Sequence, residues 1–242
     1  VARRGGQLVL AARSVERLRA AAAGLEPSPI IVPCDVADPA AVRGLVAAAR
    51  RQLGGIDVLI NNAGRSVYGE LERTPLREVH DLLAVNFLGP LHLMLEVLPE
   101  MRRRREGLIV NVASVAALHG VPYLAAYAAS KAALAVAGQS LRAELATVGV
   151  GVLTVYPGYT RTPLFACETR VGGARRPRRG YAAADRVAAA IVRAIERDRR
   201  ELVLSLEGQL LAALRRLAPR VIDAGMTRIA AALRVPDGAC HG

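Results

Sequence analysis

Gly107-Leu-Ile-Val-Asn-Val-Ala-Ser114, the Ala-rich run through Tyr127-Ala-Ala-Ser-Lys131, and Gly151-Val-Leu-Thr-Val-Tyr-Pro-Gly158 together form the stretch that decides the fold. The first piece is a short apolar run rich in Ile and Val, which reads as a buried strand ending at Ala113-Ser114. The spacing of residues over about 123–148 predicts a helix, and 151–156 is a second buried strand closed by Pro157-Gly158. A strand, one helix and a strand make a βαβ unit, whose two strands run parallel.

The same alternation continues outward in both directions. Residues 7–12 read as a strand and 14–24 as a helix. Strand 30–33 leads to a helix from Asp38-Pro39 to about Leu53, an acidic cap before a proline at the first helical position. Strand 56–60 ends in Asn61-Asn62-Ala63-Gly64, and a long helix covers about 75–104. Residues 164–181 form an Arg- and Gly-rich loop with no clear period. A helix (183–198), a short strand (201–204) and a helical region over 207–233, broken at Pro219, follow. The expected fold class is therefore α/β, a parallel sheet with helices on both faces. Ligands of such sheets bind outside the carboxyl ends of the strands, where Arg13, Asp35, Asn61, Ser114 and Pro157-Gly158 fall.

Composition narrows the function. The chain has 242 residues, enough for one large α/β domain, and 52% of them are hydrophobic but only 3% aromatic, so the core is aliphatic. No uninterrupted apolar run approaches the length of a membrane span, so none is expected, and no signal peptide is read at Val1. Three scattered cysteines, Cys34, Cys167 and Cys240, suit neither a disulfide framework nor a metal site, and the expected location is the reducing cytoplasm. The net charge of +12 raises nucleic acid as a partner. No recognition motif or set of exposed aromatics supports it, and Arg enrichment follows from base composition.

Of 33 basic residues, one alone is lysine. That lysine, Lys131, lies four residues after Tyr127, on the same helix face. Arginine is a wide planar fork and lysine a compact point charge, so a site needing a small cation beside a phenol would keep its lysine. A phenol is a poor base at neutral pH, and a cation one turn away favours the phenolate. Ser114, at the end of the preceding strand, can add a hydroxyl near the Tyr oxygen. The three together could hold a carbonyl or alcohol oxygen and pass it a proton.

Five motifs in order carry a resemblance: Asn61-Asn62-Ala63-Gly64, Val85-Asn86-Phe87-Leu88-Gly89, Asn111-Val112-Ala113-Ser114, Tyr127-x-x-x-Lys131 and Pro157-Gly158-Tyr159-Thr160-Arg161-Thr162. In these the chain resembles the short-chain dehydrogenase/reductases, from about residue 3 to about 205. The resemblance implies a Rossmann-like doubly wound sheet and an enzyme that interconverts a ketone or aldehyde with an alcohol by hydride transfer. It implies Tyr127 as general acid/base, Lys131 lowering its pKa and binding the nicotinamide ribose, Ser114 polarising the substrate oxygen, and Asn86 supporting a water. Asn61, Ala63 and Gly64 would line the cofactor beside the central strands. Thr162 would contact its carboxamide end and Asp35 would hydrogen-bond its adenine amine, with Val36, Pro157, Gly158 and Thr160 also cofactor-binding. Where NAD-preferring members carry an acid, this chain reads Ala11-Ala12-Arg13-Ser14. Arg13 can bind a phosphate bidentately and Ser14 can add a hydroxyl, which favours NADP(H) over NAD(H).

The chain departs from that family at its start. The first strand and the glycine-rich phosphate turn of the family are not found, and the place of that strand would be between 7–12 and 56–60. Two readings stand: a truncated or mis-started form of an ordinary enzyme, or a shortened protein that is catalytically silent and acts through association with other chains. The expected organisation is an incomplete oxidoreductase domain over 1–205 and a C-terminal helical extension over 206–242. The amphipathic extension is expected to pack on the cleft or on another subunit, with surface contact to a membrane as the alternative. Arg102–Arg105 reads as charge at a helix C-terminus. Arg175-Arg176-Pro177-Arg178-Arg179 reads as solvated loop charge, with a lid or attraction of an acidic substrate as alternatives. A homodimer or homotetramer through the helices at 75–104 and 123–148, and an apolar substrate, complete the expectations.

Overall fold

A computed structural model describes residues 1–176 and 180–234. Pro177, Arg178 and Arg179 of the basic loop, and 235–242 with Cys240, lie outside the described residues. In chain order the elements are β1 (Val9–Ala12), α1 (Val15–Ala22), β2 (Ile30–Pro33), α2 (Pro39–Leu53), β3 (Val58–Asn61), β4 (Val67–Gly69), α3 (Leu76–Leu83) and α4 (Gly89–Arg104). They continue with β5 (Gly107–Val112), α5 (Ala125–Glu144), β6 (Val150–Tyr156), β7 (Thr160–Arg161), α6 (Pro163–Ala166), β8 (Thr169–Val171), β9 (Ala182–Ala183), α7 (Ala184–Glu196), β10 (Glu201–Val203), α8 (Leu206–Leu217) and α9 (Pro219–Leu233).

Every strand pair is parallel. One sheet has the order β10-β6-β5-β3, and β1 pairs with β2 in a separate ribbon. Between β1 and β3 there is a seam, and among the described residues no strand bridges it. A single core nonetheless joins both sides: Val9, Ala11, Val32 and Cys34 pack in the same cluster as Leu59, Met94, Val97 and Ile109. The seam shows in burial. Val58 and Ile60 of β3 are 42% and 38% exposed, whereas Ile109 and Val110 of β5 are fully buried.

The boundary signals act as read. Asp38 accepts from the Ala40 amide at 2.8 Å, with Pro39 in the first turn. Pro219 separates α8 from α9. Arg102, Arg103 and Arg104 occupy the last turn of α4, and Arg105 caps it in the left-handed region at φ 56°. The long helix expected over 75–104 is instead interrupted by a π-helical turn, Ala84–Leu88, centred on Asn86. Such turns insert an extra residue that redirects a side chain, which a hydropathy period cannot reveal. The helical run Leu76–Arg104 is also long and apolar enough, by length and composition, to cross a membrane. A search for uninterrupted apolar runs misses it because His, Glu and Pro break the run. Its Leu93, Met94, Val97 and Met101 are buried in the main core.

The largest correction falls on 164–181. The stretch is not without structure, since it holds α6 and β8, and β8 pairs in parallel with β4, an unforeseen strand after Gly64. Each strand has three residues, too few to show a period. The expectation of solvated charge fails at Arg176, whose side chain is 15% exposed.

Candidate active site

Because the strands are parallel, the segments that follow β3, β5 and β6 emerge at one edge of the larger sheet, beside the first turns of α5. Strand β5 ends at Val112, and Ser114 begins a short 3-10 turn in which its hydroxyl accepts from the Ala116 amide at 3.2 Å. Helix α5 then presents Tyr127 and Lys131 on one face, 7% and 4% exposed. The Ser114 hydroxyl is near enough to the Tyr127 phenol to favour its ionised form.

Lys131 Nζ donates to the Val112 carbonyl at 2.9 Å. Beside it the backbone of Gly64 approaches so closely that a Cβ there would lie 3.3 Å from both Nζ and Asn86 Oδ1. A side chain at position 64 would therefore press on the ammonium and on the Asn86 amide. Asn86 is fully buried. Its Oδ1 accepts from the Arg65 amide at 2.9 Å, and its Nδ2 donates to Arg65 O at 3.0 Å and to Ser130 Oγ at 2.9 Å. Ser130 in turn donates to Tyr127 O at 2.7 Å. The π-turn therefore clamps the loop after β3 onto α5. Ser130 is an addition to the residues the sequence points to; the available signal is a hydroxyl directly beside Lys131 in an Ala-rich helix.

The electrostatics correct one expectation. Burial pushes the Tyr127 phenol above its ordinary value; the Ser114 hydrogen bond works against that, the Glu168 carboxylate adds to it, and the Arg176 guanidinium opposes it. The resulting direction is upward, against the lowering expected from Lys131. Burial lowers Lys131 to about 8.

The remaining expected residues take up varied positions. Asn61 Nδ2 donates to Asn111 Oδ1 at 2.8 Å across β3 and β5, while Asn61 Oδ1 is buried and bonds to no described residue. Asp35 Oδ1 accepts from the Ala37 amide at 3.0 Å. Val36 packs on Gly89, where an added Cβ would lie 2.7 Å from the Val36 carbonyl oxygen, so the segment after β2 reaches the start of α4. Arg13 is exposed just after β1. Ser14 caps α1, accepting from the Arg17 amide at 3.2 Å and donating to Glu16 at 2.9 Å. Ala63 is exposed in the loop after β3, and Pro157 and Gly158 are half-buried just after β6. Thr160 is buried in β7 and donates to Gly158 O at 3.1 Å; Thr162 is exposed ahead of α6. Among the described residues no group of three or more His, Cys, Asp or Glu side chains could hold a metal ion.

A parallel α/β sheet carrying a buried Ser–Tyr–Lys set defines a class, and the comparisons agree with it. The family model for short chain dehydrogenases matches residues 1–170. The chain belongs to that family and is an oxidoreductase of the kind that acts on CH–OH groups with a nicotinamide cofactor. A ketoacyl reductase, HetN, of Nostoc is 33% identical over 80% of this chain and 69% of its own length. An Anopheles gambiae protein described as dehydrogenase/reductase SDR family protein 7-like is 34% identical over 90% of this chain and 73% of its own. A short-chain dehydrogenase structure from Streptomyces avermitilis superposes with a TM-score of 0.82 at 27% identity, covering 96% of this chain and 92% of that one. A Burkholderia cenocepacia short chain dehydrogenase in complex with NADP superposes at 0.77, with 25% identity over 91% and 86% of the two chains.

Proposed function

We propose that this protein is an NADP(H)-dependent oxidoreductase that interconverts a ketone or aldehyde with an alcohol, with Tyr127 as the general acid/base. The observation that carries the reading is the buried Ser114–Tyr127–Lys131 set, clamped by Asn86 and Ser130 and packed against a glycine that leaves room for the ammonium. The residues fit the nicotinamide end of a dinucleotide. Lys131 spends one of its three N–H donors on Val112 O, and the orphaned Asn61 Oδ1 offers a buried acceptor at the carboxyl end of β3.

When bound beside Tyr127 and Lys131, a nicotinamide would supply or accept the hydride. The protein does the rest. Ser114 donates a hydrogen bond to the substrate oxygen and holds it against the phenol. Tyr127, kept protonated by burial, passes its proton to the oxygen as negative charge develops there. Lys131 lies within one helical turn and stabilises the phenolate that remains. Asn86 and Ser130 fix the loop and the helix, so the two groups keep their spacing.

Arg13 supports NADP(H) because it is an exposed guanidinium following β1, with no acid over Ala11–Ser14. Ser14 adds less, since its hydroxyl is committed to the helix cap and to Glu16. The same reading carries a cytosolic location and a dimer or tetramer through α4 and α5, where Leu95 and Val136 are exposed beside Leu88 of the π-turn. The test is an isothermal titration of the chain with NADPH and NADH, followed by NADPH oxidation against a panel of ketones and aldehydes. Binding that favours NADPH and oxidation dependent on a carbonyl substrate are expected. Binding to neither from folded protein would overturn the reading in favour of a catalytically silent chain.

A further inference from the structure

The chain has six tyrosines, two phenylalanines and no tryptophan, yet three of those rings surround one side chain. The Arg176 guanidinium carbon lies 4.3 Å from the Phe165 ring centre, 4.9 Å from Tyr68 and 5.8 Å from Tyr159. Tyr181 packs edge-on against Phe165 and Tyr159 at 5.8 Å and extends the cluster. Beneath the rings is Glu168, its side chain 1% exposed. It accepts from Arg176 Nε at 2.8 Å and from Arg176 Nη2, and Ser66 Oγ donates to it at 2.6 Å. This site adjoins the reacting centre. Tyr68 and Ala174 pack in one cluster with Tyr127, and Glu168 and Arg176 both act on the Tyr127 phenol.

One part of the guanidinium is left over: Arg176 Nη1 is buried and bonds to no described residue. A buried donor without a partner carries its full desolvation penalty, so a group persistently held this way is poised for an acceptor that arrives with a ligand. Glu168 already neutralises the guanidinium. A substrate carboxylate would crowd a second anion against Glu168 among aromatic walls, at a desolvation cost that one shared cation does not offset. A neutral oxygen sheds its water more cheaply and still gains a charge-assisted hydrogen bond.

Resting on the reading above, we propose that Arg176 is a specificity residue that receives a second, neutral oxygen of the substrate. The substrate class is then a carbonyl compound with a further carbonyl close to the reacting one, as in a β-keto ester. The Arg176–Glu168 pair also ties the segment after α6 to the loop after β3, so Arg176→Met alone would strand a buried carboxylate. The informative variant is therefore Glu168→Gln with Arg176→Met, which removes both charges and keeps the volume.

The experiment compares ethyl acetoacetate with methyl butyl ketone, a simple ketone of the same carbon count. Binding is measured by calorimetry in the presence of NADP+, where no reduction occurs, and turnover separately with NADPH. The native protein is expected to prefer the keto ester. The double variant is expected to lose that preference about 10- to 100-fold, through the keto ester's Kd and KM. Equal binding of the two compounds by the native protein, or a preference that survives in the double variant, would overturn the proposal and leave the pair as a strap. A binding preference without any turnover would support it while sinking the oxidoreductase reading, so the two failures are separable.

Discussion

The two flanks of β3 differ sharply. On one side β3 pairs with β5 along its length, β5 pairs with β6, and the strand ends deliver Asn61, Asn111 and Ser114 to a buried, hydrogen-bonded centre. On the other side β3 faces the seam with β1, and Val58 and Ile60 stay exposed. The Ser114–Tyr127–Lys131 set, proposed as the acid–base machinery, is built from the continuous side, by β5, α5 and the π-turn at Asn86. The residues read as meeting the far end of a dinucleotide, Arg13, Ser14, Asp35 and Val36, lie across the seam. In the proposed reading, the chemistry and the grip on the cofactor thus rest on parts of the sheet with unequal support.

Lys131 offers the largest lever on the continuous side. Its ammonium is bounded by Gly64, Asn86 and the Val112 carbonyl, and a planar fork would be wider than the point charge held there. Lys131→Arg is expected to cut turnover by about 10²–10⁴-fold, measured as NADPH oxidation. Activity near that of the native chain would break the argument from a compact charge. Lys131→Met should lose as much activity and yet make the fold more stable, by a few kcal/mol at most, since a lysine lowered from 10.5 to about 8 carries a burial penalty at neutral pH. Denaturant unfolding measures that gain.

The same shift fixes a pH dependence. In the folded chain Lys131 gives up its proton near pH 8, and in the unfolded chain near 10.5. Between those values the unfolded chain binds the extra proton, so this group's contribution to stability rises with pH across the window. Activity runs the other way, declining above about pH 8 as the ammonium is lost. In Lys131→Met the stability slope over that window should flatten; an unchanged slope would assign it to other groups.

The seam makes its own forecast. Amides of β5 and β6 should outlast those of β1 and β3 in hydrogen exchange by about a hundredfold, because opening at an unsupported edge needs less of the global unfolding free energy. Uniform protection would mean that the seam is closed in solution. The smallest expected effect is at Arg13. Arg13→Ala should weaken NADPH binding about tenfold and leave NADH unchanged, because only the phosphate-bearing cofactor gives up a charge-assisted hydrogen bond. Equal weakening for both would remove Arg13 as the reader of the phosphate.

Much of this is legible in the sequence. Strands at 30–33 and 107–112, the Asp38 cap and the break at Pro219 follow from local chemistry, which acts over a few residues. Tyr127 and Lys131 stand out because i,i+4 spacing guarantees a shared face. The π-turn at Asn86 is hidden because one extra residue barely disturbs a helical period. The β4–β8 pair and the Ser66–Glu168 bond are hidden for a different reason: their partners are about a hundred residues apart, and neither strand is long enough to alternate. The sign of the Tyr127 shift is also out of reach, since spacing reports a neighbour's charge and only the fold reports burial.

The most direct test is the Tyr127→Phe substitution, with NADPH affinity and carbonyl-dependent NADPH oxidation measured on the same preparations. Removing one hydroxyl from a buried ring should leave NADPH binding within about threefold while turnover falls by about 10²–10⁴-fold. Turnover that survives the change, with cofactor binding intact, would contradict the assignment of Tyr127 as the proton donor.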